Sequence, residues 1–214
     1  MWHDGATGSH QNNVRFEEYF YNWLAQGDYV VPVVQTGPAN DAAHGFVLIT
    51  ELQQLNLARH LSGQLTAGRR AVVWRCMLQV AKGLSRIHSL GIMHGDLKLE
   101  NVFNYVNGTC KIGDFGSAGT RNPLKKPKRC GTFGYIAPER EERTDMKVDI
   151  YSFGKMVQTA LCDEQQTMSG PEKDIVDRCL AVDAEKRPTA AELVQRIHDL
   201  VSGVPIRWNR MSAS

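Results

Sequence analysis

The segment that most constrains the fold is residues 92–119, IMHGDLKLENVFNYVNGTCKIGDFGSAG. It places aspartates, asparagines and lysines among apolar residues whose pattern demands burial. Two short strand-like runs, residues 102–106 and 109–113, are joined by Asn107-Gly108, a dipeptide typical of two-residue hairpin turns. Acidic residues at the ends of short strands offer the fixed oxygen ligands that a divalent cation carrying a polyphosphate needs. We therefore expect a chemical site in this segment.

Helical patterns surround this segment. Residues 69–91 predict an amphipathic helix that ends at Gly91. Three more helices are predicted at residues 146–161, near residues 172–180, and from about residue 189 to 201. Thr189 and Glu192 match a capping box at the start of the last helix. The apolar face of the first helix consists of Val73, Met77, Val80, Leu84 and Ile87.

The pattern changes near residue 53, which predicts two domains at residues 1–52 and 53–214. Before the boundary, residues 14–25 have helical spacing, and residues 29–34 and 45–52 read as short strands. The polar stretch between the strands predicts a hairpin loop at residues 35–44. We expect a small first domain followed by a larger helical one.

Composition excludes several classes of protein. A chain of 214 residues can bury a hydrophobic core large enough to fold without disulfide bonds or a structural metal ion. Its five cysteines never form a CxxC spacing, which argues against a disulfide framework and a zinc site. The net charge of +2 does not indicate nucleic acid, and no apolar run is long enough to span a membrane. We expect an intracellular, cytoplasmic protein, with the nucleus left open, that binds neither nucleic acid nor membranes.

Short motifs follow one another in order along the second domain. They are HGDLKLEN (residues 94–101), DFG (114–116), GTFGYIAPE (131–139), DIYSFG (149–154) and KRP (186–188). One such motif is weak evidence, whereas the ordered set is specific. The chain resembles the eukaryotic protein kinases of serine/threonine type over most of residues 14–201. This resemblance implies an α+β fold, with a mostly helical large lobe and a small lobe reduced to one helix and a β-hairpin.

The resemblance also implies roles for individual residues. Asp96 matches the aspartate that orients the substrate hydroxyl and accepts its proton, and Lys98 matches the lysine beside the transferred phosphoryl group. Asn101 and Asp114 match the two magnesium ligands. Thr132 matches the threonine that lines the substrate-hydroxyl pocket. The implied cofactors are ATP and Mg²⁺.

The nucleotide-binding part of the resemblance is weaker than the catalytic part. Thr50, Glu51 and Leu52 resemble the linker between the lobes, which forms the adenine side of the nucleotide site. No lysine occurs before Lys82, however, so the strand lysine that contacts the phosphates lacks a counterpart, and three strands do not fit ahead of residue 14. We therefore expect a truncated small lobe and weak phosphoryl transfer.

Some motif residues have structural interpretations. His94 and Phe115 resemble members of an apolar column, Asp149 resembles the residue that pins the catalytic-loop backbone, and Glu139 with Arg187 resembles a buried ion pair. For Asp96, Asn101 and Asp114 together, the structural alternative is a satisfied polar network left by a catalytic ancestor.

Two departures from the family pattern concern regulation. Gly95 replaces the arginine that binds an activation-loop phosphate, and residues 121–130 contain no serine, threonine or tyrosine. Phosphorylation of this loop is therefore not expected to switch the protein. The basic run at residues 121–129 is either a solvated loop or a contact for an acidic partner.

Three functions stay open at this point. The first is a minimal serine/threonine kinase that phosphorylates a protein substrate. The second is a kinase-like decoy or pseudokinase that binds another kinase or its substrate. The third is an incomplete gene product whose upstream strands are missing. The sequence leaves the oligomeric state open.

Overall fold

A computed structural model describes residues 28–38, 46–53, 55–62, 68–105, 107–120, 131–139, 145–161, 168 and 170–203. The helix predicted at residues 14–25 and the basic run at residues 121–129 lie outside the described residues. Within the described ranges, short strands come first and five α-helices dominate from residue 57 onward. This arrangement is the reduced α+β fold that the motifs implied. The domain boundary after residue 52 stays a prediction.

The first described strands form a two-stranded antiparallel sheet. Strand β1 (Val33–Pro38) pairs with strand β2 (Phe46–Thr50), and Gln35 lies opposite Ile49. The second strand confirms its prediction, with ends trimmed by one or two residues. The predicted bounds of the first strand are wrong, because β1 begins at Val33 and includes residues that were assigned to the hairpin loop.

The apolar residues ahead of β1 pair with another part of the molecule. The Val31 N–H donates to the Ile112 carbonyl oxygen at 2.8 Å, and the Ile112 N–H donates to the Tyr29 carbonyl oxygen at 2.9 Å. Val30 and Val31 are both buried. Pro32 has no N–H to continue the pairing, so the chain leaves this neighbour and enters β1. The run is extended as predicted, but its partner is distant in sequence.

The central helix is the one that the apolar face predicted. A short helix α1 (Leu57–Ser62) precedes α2 (Arg69–Ser89), and every residue of the predicted apolar face of α2 is buried. Gly91 ends the helix with a φ of 74°, a conformation that glycine adopts without a Cβ clash. Its N–H donates to the His88 carbonyl oxygen at 3.0 Å.

Short strands bracket the polar segment. Strand β4 (Ile92–Met93) pairs with β7 (Gly119–Thr120), and strand β5 (Val102–Asn104) pairs with β6 (Cys110–Ile112). Gly108 turns this second hairpin with a φ of 77° where a turn was predicted. The Tyr105 N–H donates to the Thr109 carbonyl oxygen at 2.9 Å, so the loop is longer than the predicted two-residue turn. Strand β3 (Leu55–Asn56) adds to the other edge of β5. A 3₁₀ turn, Leu99–Asn101, connects the two strand pairs.

Three helices complete the larger part of the fold. They are α3 (Lys147–Leu161), α4 (Gly170–Cys179) and α5 (Ala190–Ser202), each close to its predicted position. Thr189 and Glu192 form the predicted capping box, and Gly203 closes α5 in the left-handed region. Helix α2 packs against α5, α3 and β6 around one continuous core. Fully buried side chains of this core include Leu61, Met77, Leu84, Ile112, Phe153 and Leu193.

A buried ion pair fastens the loop before α3 to the turn before α5. The Arg187 guanidinium donates to both carboxylate oxygens of Glu139 at 2.6 and 2.7 Å, and the Arg187 side chain is fully buried. It also donates to the carbonyl oxygens of Ala181, Lys147 and Val182. This geometry confirms the structural interpretation of the Glu139–Arg187 pair.

We expect Glu139→Ala to lower the free energy of unfolding by about 3 kcal/mol, because it leaves the Arg187 charge buried without its carboxylate. The carbonyl partners keep this loss near the lower end of the range for broken buried pairs. Urea unfolding measures it. As a control, Lys173→Met breaks an exposed pair with Asp177 and should change the same quantity by less than about 0.5 kcal/mol. Equal losses in both variants would contradict the prediction.

Candidate functional site

The loop after β4 is held by one buried carboxylate. Asp149, in the first turn of α3, accepts the backbone N–H of His94 at 2.8 Å and that of Gly95 at 2.9 Å. The His88 Nε2 lies 2.9 Å from Asp149 Oδ2. Burial alone would raise the pKa of Asp149, but the His88 contact and the backbone donors outweigh it and lower the pKa. Asp149 therefore stays charged and pins the loop, as its structural interpretation predicted.

Three side chains next to this pinned loop form a closed triangle. The Lys98 Nζ donates to Asp96 Oδ2 at 2.9 Å and to Thr132 Oγ1 at 2.7 Å. The Thr132 hydroxyl donates to the other Asp96 oxygen, Oδ1, at 2.8 Å. The sequence predicted all three as site residues, and the structure brings them together although Thr132 lies 36 positions from Asp96.

The triangle shifts the acidity of its own members. Partial burial would raise the pKa of Asp96, but the hydrogen bonds from Lys98 and Thr132 outweigh burial and lower it. Burial would lower the pKa of Lys98, but its contact with Asp96 raises it, and the nearby charge of Asp114 adds to the effect. The pair is therefore an ionised carboxylate beside an ammonium group at neutral pH.

Asn101 connects this triangle to Asp114. Its Nδ2 donates to the Asp96 backbone oxygen at 2.9 Å, and its own backbone oxygen accepts the Gly113 N–H at 2.9 Å. Asp114 follows directly, with a φ of 60°, the one positive φ at a non-glycine position among the described residues. Asp114 is exposed, and its charge acts on Lys98. Short contacts and charge interactions thus connect Asp96, Lys98, Asn101 and Asp114, with Asn101 buried and Asp114 exposed.

Two buried rings support the backbone beneath Asp114. The His94 Nε2 lies 3.0 Å from the Gly113 carbonyl oxygen, and the His94 and Phe115 ring centroids are 4.9 Å apart. Both side chains are almost fully buried. The contact supports the structural interpretation of His94 and Phe115.

The predicted linker residues lie at and just after the end of β2. Thr50 accepts a long hydrogen bond of 3.5 Å from Gln53, and Glu51 accepts one of 2.8 Å from Lys111. The Leu52 side chain is 91% exposed. The Glu51 contact links these residues to Lys111, which belongs to the strand that leads to Asp114.

A shallow surface depression opens beside Asp96. Gly131, Thr132 and Ile136 line its outer side, and Ser152 lies deeper. The Phe133 side chain is 96% exposed. The depression is lined by polar side chains such as Asp96 and by apolar ones such as Ile136.

The sequence did not indicate two of the contacts that position the site. They are the contacts of His88, which the sequence places in a helix, and of Lys111, which it places in a strand. For Lys111 a signal exists, because it alternates with the buried residues Cys110 and Ile112 and must face the opposite side of the strand. For His88 no such signal exists. The local sequence does not show whether its ring would bond to a buried carboxylate or face the solvent.

Comparison with known proteins agrees with this geometry. The family model described as "Protein kinase domain" matches residues 6–168. The chain belongs to the protein kinase domain family. The kinase fold assigned from the motifs is therefore confirmed.

The relatives of this kinase chain include several serine/threonine kinases. It is 29% identical over 178 residues to the serine/threonine-protein kinase Wnk of Drosophila melanogaster, covering 70% of this chain and 7% of that protein. It is 40% identical over 120 residues to the serine/threonine-protein kinase PLK4 of Nematostella vectensis, covering 53% of this chain and 12% of that protein. A third relative is the mitosis inhibitor protein kinase wee1 of Schizosaccharomyces pombe, 31% identical over 69% of this chain and 17% of that protein. The kinase chain thus spans less than a fifth of the length of these three relatives.

We expect Lys98→Met to raise the pKa of Asp96, because the substitution removes the strongest donor to its carboxylate. In the wild type this pKa lies below its ordinary value of 3.8. The triangle therefore stabilises the fold above the unfolded-state pKa and loses this contribution as the pH falls through the lower, folded-state pKa. A carboxyl ¹³C NMR titration measures the pKa. Lys173→Met is the control, and an Asp96 pKa that is the same in Lys98→Met and wild type refutes the expectation.

Proposed function

We propose that this kinase chain binds Mg-ATP and transfers the γ-phosphoryl group, weakly, to a serine or threonine hydroxyl of a protein substrate. The observation that carries the proposal is the triangle of Asp96, Lys98 and Thr132 beside Asn101 and Asp114. Asp114 presents an exposed carboxylate beside this network, and carboxylate oxygens are the ligand type that Mg²⁺ prefers. The intact set supports a working site over the relic of a catalytic ancestor.

Each member of the triangle has a role in this proposal. The ionised Asp96 carboxylate orients the substrate hydroxyl and accepts its proton. Lys98 lies within hydrogen-bond distance of Asp96 and neutralises charge that develops on the transferred group. Thr132 fixes the second Asp96 oxygen, so the carboxylate keeps one orientation.

The oxygen donors near the triangle suit a magnesium ion that also binds phosphates. Mg²⁺ commonly uses one or two protein side chains together with substrate phosphates and water. Asp114 offers an exposed carboxylate, and Asn101 uses its Nδ2 on the Asp96 backbone, which leaves the amide oxygen as its ligand atom. Among the described residues no group of three His, Cys, Asp or Glu side chains is placed to hold a metal, so phosphates would have to complete the shell. When bound, the ion neutralises phosphate charge.

The linker at Thr50, Glu51 and Leu52 supplies the adenine side of the proposed nucleotide site. The exposed Leu52 side chain offers an apolar surface at the end of β2. Because ATP is an intracellular compound and the described cysteines are free thiols, we propose that the protein acts inside the cell. None of the helices in the described part of the chain combines the length and apolarity needed to span a bilayer.

Weak transfer is proposed because residues 1–81 of this sequence contain no lysine to match the strand lysine that contacts the phosphates in the family. Loss of one preorganised donor can lower an enzymatic rate by about 10²–10³. The same observation favours a second candidate function, a kinase-like decoy that binds another kinase or its substrate without transfer.

We expect Asp96→Asn to keep Mg-ATP binding but to lower phosphoryl transfer by about 10²- to 10⁴-fold, because it removes the proton acceptor. We expect Asp114→Asn to lose the magnesium-dependent part of nucleotide binding as well. Radiolabelled transfer to a generic protein substrate measures the first quantity. The thermal shift with ATP, in Mg²⁺ and in EDTA, measures the second.

Asp174→Asn is the matched control, because Asp174 lies on α4 and pairs with Arg178. It should change neither measurement. Transfer that persists in both site variants would come from a contaminating kinase and would overturn the enzymatic proposal. A wild type that neither binds nor transfers would favour the decoy function, and a pull-down for kinases would then test it.

A further inference from the structure

Lys111 makes contacts that neither stability nor catalysis as described above explains. It lies in the middle of β6, between the buried residues Cys110 and Ile112. Its side chain points to the opposite face, where Nζ donates to Glu51 Oε2 at 2.8 Å and lies 4.4 Å from the centroid of the Tyr105 ring. The ammonium group therefore joins the linker to the residue that follows β5.

This contact is partly shielded from water. The side chains of Lys111 and Glu51 are 18% and 44% exposed, and Tyr105 is buried. Burial of Tyr105, together with the neighbouring Glu51 charge, raises the pKa of its hydroxyl to about 12. Ion pairs with this exposure contribute little to global stability. Their main effect is on where the connected segments lie.

Strand β6 contacts the small β1–β2 sheet at its open base, where Val33 of β1 lies opposite Thr50 of β2. Where the chain enters the sheet, the backbone of Tyr29 and Val31 bonds to Ile112. Where it leaves, Glu51 bonds to Lys111 through its side chain. The Glu51 N–H also donates to the Pro32 carbonyl oxygen at 3.2 Å, which closes the base of the sheet.

The same strand also sets the position of Asp114. Gly113 follows β6 directly, and its N–H bond to the Asn101 backbone oxygen fixes the next residue. Only Ile112 and Gly113 separate Lys111 from Asp114. A shift of the linker relative to β6 would therefore change the distance between residues 50–52 and Asp114.

We propose that Lys111 and Glu51 are positioning residues that hold the linker at a fixed distance from Asp114, so that both sides of one nucleotide are held together. The inference rests on the proposed function, because it takes the linker and Asp114 as the two sides of the nucleotide site. The backbone bonds at Ile112 provide one attachment, which side-chain substitution cannot remove. The Lys111–Glu51 pair provides the other.

The test compares Lys111→Met, Glu51→Gln and the double variant with wild type and with Lys173→Met. The probe is a fluorescent ADP analogue titrated in Mg²⁺. Each single variant should weaken binding by about threefold to tenfold, the range that one ion pair with a cation–π contact provides. The double variant should weaken it no further, because both changes remove one interaction. Lys173→Met should bind like wild type, and Lys111→Arg should restore most of the affinity.

Hydrogen exchange provides a readout that needs no nucleotide. In Lys111→Met the amides of residues 50–53 should exchange faster, while those of α5 keep their wild-type rates. Faster exchange in α5 as well would indicate general destabilisation and would overturn the positioning role. Unchanged exchange at residues 50–53 would overturn it too.

The outcomes separate this inference from the proposed function. A wild type that binds the analogue, with Lys111→Met binding equally well, overturns the positioning role and leaves the proposed function intact. A wild type that does not bind any nucleotide overturns both, whatever the exchange rates show. Additive losses in the double variant would mean that Lys111 and Glu51 act independently, which also overturns the inference.

Discussion

The buried carboxylate of Asp149 is the interaction on which the rest of the site depends. A charge removed from water needs several donors to persist, and Asp149 has the backbone N–H groups of His94 and Gly95 together with the His88 ring. Its position in the first turn of α3 adds the favourable field of a helix N-terminus. The donors that satisfy this charge are the backbone of the loop itself. Stabilising the carboxylate and shaping the loop are therefore one event.

A series of hydrogen bonds leads from the loop that Asp149 holds to Asp114 and fixes the position of each residue in turn. The pinned loop places Asp96, whose backbone oxygen accepts a hydrogen bond from the Asn101 side chain. The Asn101 backbone oxygen in turn accepts the Gly113 N–H. After Gly113 comes Asp114, whose backbone is in the left-handed conformation. For a non-glycine residue this conformation costs about 1 kcal/mol or more. Strain of this kind persists only where neighbours determine the backbone. Here the determining neighbours are the His94 ring and the Asn101 backbone.

The sequence predicted the features that local physics controls. The helix at α2, the Asn107-Gly108 turn and the Thr189 cap each depend on residues within one or two turns of the chain, and each was found where it was predicted. The site residues came from ordered motifs, and their spatial convergence follows the family fold. The sequence did not predict backbone pairings between segments that are far apart along the chain. Residues 29–31 read as one strand with β1, yet their partner Ile112 lies about eighty positions away, and no periodicity identifies it.

The long-range pairing also explains how so small a sheet can keep a defined position. Two antiparallel strands alone are marginally stable in water. In this chain β1 and β2 gain their support from β6, through backbone bonds to the residues ahead of β1 and a side-chain contact with Glu51, which follows β2. Gly83 on α2 supports the same region, because a Cβ there would lie 2.9 Å from both the Tyr29 oxygen and the Ile112 side chain. The central helix, β6 and the base of the small sheet are consequently packed as one unit, and Asp114 extends from that unit.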